Sequence, residues 1–209
     1  MKKHLQIGIY AAITIIAVLN CSCNKTAQES PYDFEYGGHK YKVVKELKNW
    51  TDAAKDAVSQ GGYLVEIGSQ AEQDAVYDGI LKAGIASNYT TVNDGGGTAF
   101  VWIGATDRQQ EGVWIWNGAN KSGNFSAFWN GNQNGSSASG AYVNWGGKLA
   151  GKFNEPDNYT DKTYSPNGQN TAAIGLANWP QNSSSPLGKA GEWNDIAETN
   201  TLYYVIEFD

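Results

Sequence analysis

The sequence predicts an α+β fold with an antiparallel sheet, because its strand-like and helix-like segments are grouped rather than regularly alternating. A strand pattern comes first, two helical patterns follow with a short strand between them, and the remaining strands lie in the C-terminal half. One long polar segment, residues 117–170, interrupts those later strands. With 209 residues, the chain is long enough for one sizeable domain with its own core.

The first predicted elements are a strand and a helix. Residues 38–47, "GHKYKVVKEL", alternate apolar and polar side chains as a half-buried strand does. Thr51 is a good N-cap for the helix that follows, and Gly61 and Gly62 end it. The apolar side chains of this helix lie on one predicted face: Ala53, Ala54, Ala57 and Val58.

A short strand and a second helix are predicted next. "YLVEIG" at 63–68 is the strand. Ser69 followed by Glu72 forms a capping box, so the second helix is expected from about Gln70 to Lys82.

The C-terminal half is predicted to contain strands around a folded loop. "FVWIGA" at 100–105 and "GVWIWNG" at 112–118 indicate neighbouring strands, and the segments 171–177 and 202–208 indicate the last ones. The segment 117–170 exceeds ordinary connection lengths, which favours a functional or disordered region. Its aromatic residues favour a folded loop with a small core of its own: Phe125, Phe128, Trp129, Tyr142 and Trp145.

The N-terminal segment resembles a bacterial lipoprotein signal. A basic start is followed by an apolar run that is too short for a comfortable membrane span and that ends at "NCSC". We therefore expect a signal at 1–20, a lipidated Cys21 with a polar tether at 21–35, and a domain at 36–209 anchored outside the cytoplasm at the bacterial envelope, in the outer membrane. Cys23 is the alternative lipidation site, and an ordinary secretory signal with incidental cysteines is the alternative signal.

Composition argues against two classes of function. The formal charge of −6 argues against nucleic acid as a partner, because binding to phosphate backbones needs a basic face. Enzymatic function is not expected, since the histidines are only His4 and His39 and no thiol follows Cys23. An exported domain without disulfides must rely on its core or on a bound ion.

The segment "FNEPDNYT" at 153–160 places two carboxylates on either side of a proline. Residues two apart in an extended segment point the same way, so Glu155 and Asp157 are expected side by side. Alone, this motif is typical of a turn. Together with "EWND" at 192–195, it supplies the oxygen ligands that calcium prefers.

Several motifs in order resemble the C-type lectin-like domain family. They are "WIGATDRQQEGVWIWNG" at 102–118, "YVNW" at 142–145 with "EPD" at 155–157, "EWND" at 192–195 and "YVIEF" at 204–208. The resemblance covers about residues 36–209. It implies two helices flanking small antiparallel sheets with a long polar loop.

The resemblance also implies a calcium site that binds sugar. In that family the proline is typically cis. Two adjacent hydroxyls of the bound sugar coordinate the calcium ion, and the protein ligands beside the ion form hydrogen bonds with these hydroxyls. The implied metal ligands are Glu155, Asp157, Gln169, Asn194 and Asp195. The residues implied or expected at the carbohydrate are Glu155, Asp157, Asn194 and the loop tyrosines Tyr159 and Tyr164, whose rings can stack on a sugar.

Three departures from the family pattern matter. Gln169 stands where family members often have Glu. Glu-Pro-Asp mixes the mannose-type Glu-Pro-Asn and the galactose-type Gln-Pro-Asp, so the sugar preference stays open. The usual disulfides are also missing. Their places fall near Ala57 and Ile206, where an apolar contact can replace the bridge, and near Thr171 and Glu198.

The sequence therefore predicts a calcium-dependent carbohydrate-binding module anchored to a bacterial envelope. Its expected partners are a carbohydrate or glycoprotein, and a membrane through the N-terminal lipid. The alternative is a protein-binding module with the same fold and no sugar site. A glycosidase-like acid pair is disfavoured, because Glu155 and Asp157 lie on one turn rather than on opposite walls of a cleft. The oligomeric state stays open.

Overall fold

The structure is a computed structural model that describes residues 29–147 and 153–209. The predicted signal at 1–20, Cys21 and Cys23 lie outside the described residues, so the expected lipidation stays a prediction. Within the described ranges, neither helix combines the length and the apolar character that crossing a bilayer requires.

The described chain opens with an antiparallel hairpin. Its strands are β1 (Tyr32–Tyr36) and β2 (His39–Lys48), and β2 lies where the alternating pattern predicts a strand. The turn between them holds Gly37 and Gly38 at φ of 61° and 93°, a backbone region that favours glycine. β1 begins inside the stretch expected to be a tether, so residues 32–35 are paired in the sheet.

The first helix begins earlier than its predicted cap. α1 spans Trp50–Ser59, and Asn49 caps it by accepting a hydrogen bond from the Asp52 backbone N–H at 2.8 Å. The prediction of Thr51 as N-cap is wrong because Asn49 already satisfies that donor. Val58 is 45% exposed, so the buried face consists of Trp50 and the three predicted alanines.

The second helix has the predicted bounds. α2 spans Gln70–Lys82, and the Ser69 hydroxyl accepts a hydrogen bond from the Glu72 backbone N–H. The Glu72 carboxylate accepts from the Gly68 N–H at 2.8 Å, one residue before the donor expected in a capping box. The strand before this helix, β3 (Tyr63–Leu64), is shorter than predicted.

The strands form one connected mixed sheet rather than separate small antiparallel sheets. The long path runs in the order β1-β2-β10-β4-β5-β6-β7, with β8 paired to β4 and β9, and β3 paired to β10. The pairing of β4 with β10 is parallel, and the other strand pairs are antiparallel. The remaining strands are β4 (Phe100–Thr106), β5 (Val113–Trp116), β6 (Ala127–Asn130), β7 (Ser136–Ser137), β8 (Thr171–Gly175), β9 (Trp193–Ile196) and β10 (Leu202–Phe208).

The aromatic residues of the long loop belong to the main core. Trp145 is fully buried, and its ring packs edge-on against Trp114 and Trp193 at centroid distances of 4.8 and 5.7 Å. Phe128 joins the same apolar cluster, while Phe125 stays 36% exposed. The expectation of a separate loop core is therefore wrong, because the rings of Phe128, Tyr142 and Trp145 pack directly on Trp193 of β9.

Non-covalent contacts occupy the places of the missing disulfides. Ala57 and Ile206 are fully buried in one apolar cluster. The Thr171 hydroxyl donates to the Ile196 carbonyl at 2.8 Å, and Glu198 pairs with Arg108 at 2.5 Å. The fold thus joins these elements by packing and hydrogen bonds.

Asp107, at the end of β4, makes the stability of the fold depend on pH. The residue is 1% exposed, and its Oδ2 atom accepts a hydrogen bond from the Gly112 N–H at 2.8 Å. Its Oδ1 atom has no partner within the described ranges. Burial raises the pKa of this carboxyl from 3.8 to about 7. The protonated carboxyl of Asp107 therefore contributes fully to the stability of the fold below pH 3.8. This contribution is lost as the pH rises through about 7, because the buried group must then ionise.

Asp107→Asn should raise the melting temperature at about pH 8 by about 3 °C or more, because the amide keeps the acceptor for Gly112 and carries no buried charge. It should also flatten the fall in melting temperature between about pH 5 and pH 8. Calorimetry in EDTA measures both effects. Glu35→Gln, which removes an exposed acid on β1, is the control. Equal pH profiles of wild type and Asp107→Asn would contradict this account.

Candidate functional site

Backbone hydrogen bonds bring the Glu-Pro-Asp segment against β9. The Asn154 and Glu155 N–H groups both donate to the Gly146 carbonyl, at 2.9 and 3.3 Å. The Gly146 N–H donates in turn to the Trp193 carbonyl at 2.8 Å. The loop is therefore fixed beside the residue that precedes Asn194, and the Glu155–Pro156 peptide is cis.

Three carboxylates meet where this loop crosses β9. Oxygen atoms of Glu155, Asp157 and Asp195 all lie within 4.8 Å of one another. Asp195 is fully buried, and its two oxygens accept hydrogen bonds from the backbone N–H groups of Asp157 (3.1 Å) and Asn158 (2.7 Å). The strand thus holds the loop through the side chain of one acid.

Two buried oxygens beside this cluster lack a hydrogen-bond partner in the described part of the chain. Glu155 Oε1 accepts from the Trp179 indole N–H at 2.8 Å, but Oε2 accepts nothing. Asn194 Oδ1 is unpartnered as well. Unpaired buried acceptors are costly, and native structures rarely keep them without a compensating group. Both residues line one cavity of about 230 Å³.

The electrostatics of the cluster fit a bound cation. Burial raises the pKa of Glu155 well above its ordinary value, and the neighbouring Asp195 and Asp157 raise it further. The pKa of Asp195 is also raised well above its ordinary value, first by burial and then by the charge of Asp157. Burial raises the pKa of Asp157 as well. A divalent cation would stabilise the ionised forms of all three acids. The donor set of carboxylate and amide oxygens is the set that calcium prefers.

Gln169 braces the loop and is absent from the cavity lining. Its Oε1 atom accepts from the Tyr159 N–H at 2.8 Å, and its Nε2 atom donates to the Asp94 carbonyl at 2.9 Å. An amide has a donor end as well as an acceptor end, and here each end has a protein partner. Of the five residues predicted as metal ligands, the structure brings four together, whereas both ends of the Gln169 amide are bonded to the protein.

The two loop tyrosines differ in their positions. Tyr159 is 48% exposed and lines the cavity, so its ring is available to a ligand there. Tyr164 is 49% exposed but does not line the cavity. Its backbone N–H donates to Asp161 at 3.0 Å in a local turn. The structure therefore brings Tyr159 to the site and leaves Tyr164 outside it.

Trp179 is a site residue that the sequence motifs do not single out. Its ring is buried in a slot bounded by three glycines, and a Cβ on Gly188 would lie 2.0 Å from the ring. It packs edge-on against Phe100 at 5.3 Å while its N–H holds Glu155. The only signal in the sequence is a tryptophan before a proline within a polar segment, which does not reveal this contact. The other two glycines of the slot are Gly146 and Gly175.

Asp94 is the second residue that the motifs miss, although it lies in the "NDGGG" stretch. It is 7% exposed and lines the same cavity. Its carboxylate accepts from the Ala197 N–H at 2.8 Å and from the Asn200 side chain at 2.9 Å, besides a longer contact with Gln169. Asp94 therefore links the segment after β9 to the brace under the loop.

Comparison with known proteins places these features in one family. Residues 46–166 match the family described as the lectin C-type domain. A perlucin-like protein of Mytilus galloprovincialis is 32% identical over 121 residues, which cover 56% of this chain and 68% of the mussel protein. Halomucin of Haloquadratum walsbyi is 30% identical over 113 residues, which cover 52% of this chain and 1% of halomucin.

The fold is also shared with solved structures. The human scavenger receptor C-type lectin carbohydrate-recognition domain superposes with a TM-score of 0.52 at 21% identity, covering 86% of this chain and 98% of that domain. At this identity the likeness shows the fold. The family match ends before Asn194 and Asp195, so it is the fold that joins these two residues to Glu155 and Asp157.

Asp94→Asn should lower the free energy of unfolding by about 1–3 kcal/mol, because an amide in this place cannot accept all the hydrogen bonds that the buried carboxylate accepts. Urea unfolding in EDTA measures the loss. Asp33→Asn is the matched control, since Asp33 is exposed on the edge strand β1. If both variants unfold like the wild type, Asp94 does not brace the site.

Proposed function

The chain belongs to the lectin C-type domain family, and from this membership we propose that it is a calcium-dependent carbohydrate-binding module. The observation that supports the proposal most is the cluster of Glu155, Asp157 and Asp195 beside the unpartnered oxygens of Glu155 and Asn194. The same residues are the ones that the motifs imply. The comparisons indicate no enzymatic family.

Four residues would hold the ion. Glu155 offers Oε2, Asn194 offers Oδ1, and Asp157 and Asp195 supply further carboxylate oxygens and negative charge. Three acids together with one neutral amide suit a divalent cation that takes six to eight oxygen ligands. When bound, calcium supplies a positive centre that two adjacent hydroxyls of a sugar can coordinate.

The protein groups around the ion would orient the sugar. Trp179 fixes one oxygen of Glu155 and leaves the other toward the cavity, so the direction of this carboxylate is set before binding. Ionised Asp157 can only accept hydrogen bonds, whereas the Asn194 amide can also donate. The exposed ring of Tyr159 offers an apolar surface for the C–H face of the sugar.

We also propose that the domain is held at a bacterial envelope by a lipid on Cys21. The supporting observation is the N-terminal pattern of basic residues, apolar run and cysteine. Attachment of several copies to one membrane would raise the avidity for a clustered glycan without any new protein contact.

Calcium in hundredfold excess over its dissociation constant should stabilise the full chain by about 2.7 kcal/mol, provided that it binds only the folded state. Glu155→Gln should lose this response. The same variant should melt higher than wild type in EDTA, because it removes a buried carboxylate whose pKa burial raises while keeping the acceptor for Trp179. Thermal melting in EDTA and in increasing calcium measures both effects.

Asp161→Asn, in the same loop but outside the cluster, is the control and should respond to calcium like the wild type. A calcium response retained in Glu155→Gln would contradict the assigned site. A glycan array probed in calcium and in EDTA then tests the ligand class. Calcium binding without any calcium-dependent glycan signal would overturn the carbohydrate assignment.

The lipid anchor predicts that the full chain expressed in a bacterium incorporates a clickable palmitate analogue. Cys21→Ser should abolish the label, whereas Cys23→Ser should retain it and serves as the matched control. The label is read by fluorescence of the separated membrane fraction. The reverse pattern would move the anchor to Cys23. The absence of label from the wild type and from both variants would favour an ordinary secretory signal.

A further inference from the structure

A second cavity of about 450 Å³ lies at the end of the β6–β7 hairpin. Its apolar lining comes from Trp129, Val143 and Phe153. Its polar lining comes from four side chains that carry amides or hydroxyls: Gln133, Asn134, Ser136 and Ser137. None of the described residues that line it carries a charge.

The polar side chains of this cavity are free to bind a ligand. Within residues 29–147 and 153–209, the side chains of Gln133, Asn134, Ser136 and Ser137 form no hydrogen bond with the protein. Asn and Gln side chains each offer two donors and an acceptor, and each serine hydroxyl can donate and accept. Gln133, Asn134 and Ser136 are exposed to solvent, so the cavity presents donors and acceptors that a ligand can reach.

The backbone beneath these side chains is held firmly. The Gly131 N–H donates to the Gly112 carbonyl at 2.7 Å, and the Gly135 N–H donates to the Asn132 carbonyl at 2.7 Å. A Cβ on Gly135 would lie 2.4 Å from the Asn130 carbonyl oxygen, so the turn packs too closely for a larger residue. A fixed frame lowers the entropy cost of ligand binding.

The apolar floor is fixed as well. The Trp129 indole N–H donates to the Gly131 carbonyl at 2.7 Å. Phe153 packs edge-on against this ring, with centroids 5.2 Å apart and planes at 86°. Phe153 is only half-buried, so part of its ring faces the cavity. An aromatic surface of this kind suits the C–H face of a sugar.

We propose that this cavity is a calcium-independent subsite for a sugar residue of a neutral glycan. A charged ligand would find no opposite charge among the lining residues that the structure describes, and a purely apolar ligand would desolvate the four polar side chains without pairing them. A neutral polyhydroxylated ligand satisfies both parts of the cavity. The inference rests on the proposed function in taking a glycan as the ligand, but it needs none of the carboxylates of the acidic cluster.

The subsite and the acidic cluster share one short stretch of backbone. Phe153 lines the second cavity, and Glu155 lines the first. Two residues of extended chain span at most about 7 Å. Oligosaccharides long enough to occupy both sites should therefore bind more tightly in calcium than either site alone allows.

Affinity electrophoresis of the full chain in detergent, through gels that contain mannan, dextran or galactan, tests the subsite. In EDTA, at least one of these neutral polysaccharides should retard the wild type. Gln133→Ala/Asn134→Ala should weaken this retardation about tenfold, because two free hydrogen-bonding groups are removed. Asn88→Ala/Gln109→Ala changes the same residue types at exposed positions elsewhere and should behave like the wild type.

The outcomes separate this inference from the proposed function. Retardation that appears only in calcium would support the acidic cluster and overturn the subsite. Retardation in EDTA that the double variant retains in full would also overturn it. Retardation in EDTA that the double variant loses would support the subsite even without any calcium effect. Retardation in a parallel gel that contains the acidic polysaccharide heparin, but in no neutral gel, would overturn the neutral ligand class.

Discussion

The burial of negative charge at one point of the fold is the constraint on which the rest of the site depends. Asp195 is fully buried on β9 and lies within 4.8 Å of two further carboxylates. Such an arrangement is unfavourable unless hydrogen bonds and a counter-charge compensate for it. Backbone N–H groups from the loop provide the first compensation, and a divalent cation would provide the second.

The surroundings of the cluster limit how the loop can move. Trp179 holds Glu155 from one side, and Gln169 connects the Tyr159 backbone to Asp94 on the other. Asp94 in turn accepts from the segment after β9. The donors in these contacts are an indole N–H, an amide and backbone N–H groups, none of which carries a positive charge. They therefore position the acids without neutralising them. The negative charge of the cluster is thus left for a bound cation to compensate, as proposed above.

Aromatic packing gives the long loop its order without a disulfide. Trp145 from the loop packs on Trp193, which immediately precedes the site residues Asn194 and Asp195. The burial of large aromatic side chains contributes a few kcal/mol each, on the order of what a bridge contributes. The same packing joins the hairpin β6–β7, with its neutral polar cavity, to the core that supports the acidic cluster.

The sequence alone determined the α+β class, the bounds of α2, the strands β4, β5, β8 and β10 and the family, because local caps, alternating patterns and ordered motifs are short-range signals. It did not predict β6 and β7, which lie within the segment 117–170 that was expected to be a loop. It also singled out Glu155, Asp157, Asn194 and Asp195. Only the tertiary structure decided that Gln169 is a brace and that Trp179 and Asp94 support the site. These roles depend on hydrogen bonds between residues that lie far apart in the chain: 24 positions for Trp179 and Glu155, 75 for Gln169 and Asp94, and 103 for Asp94 and Ala197. Local sequence patterns do not encode such contacts.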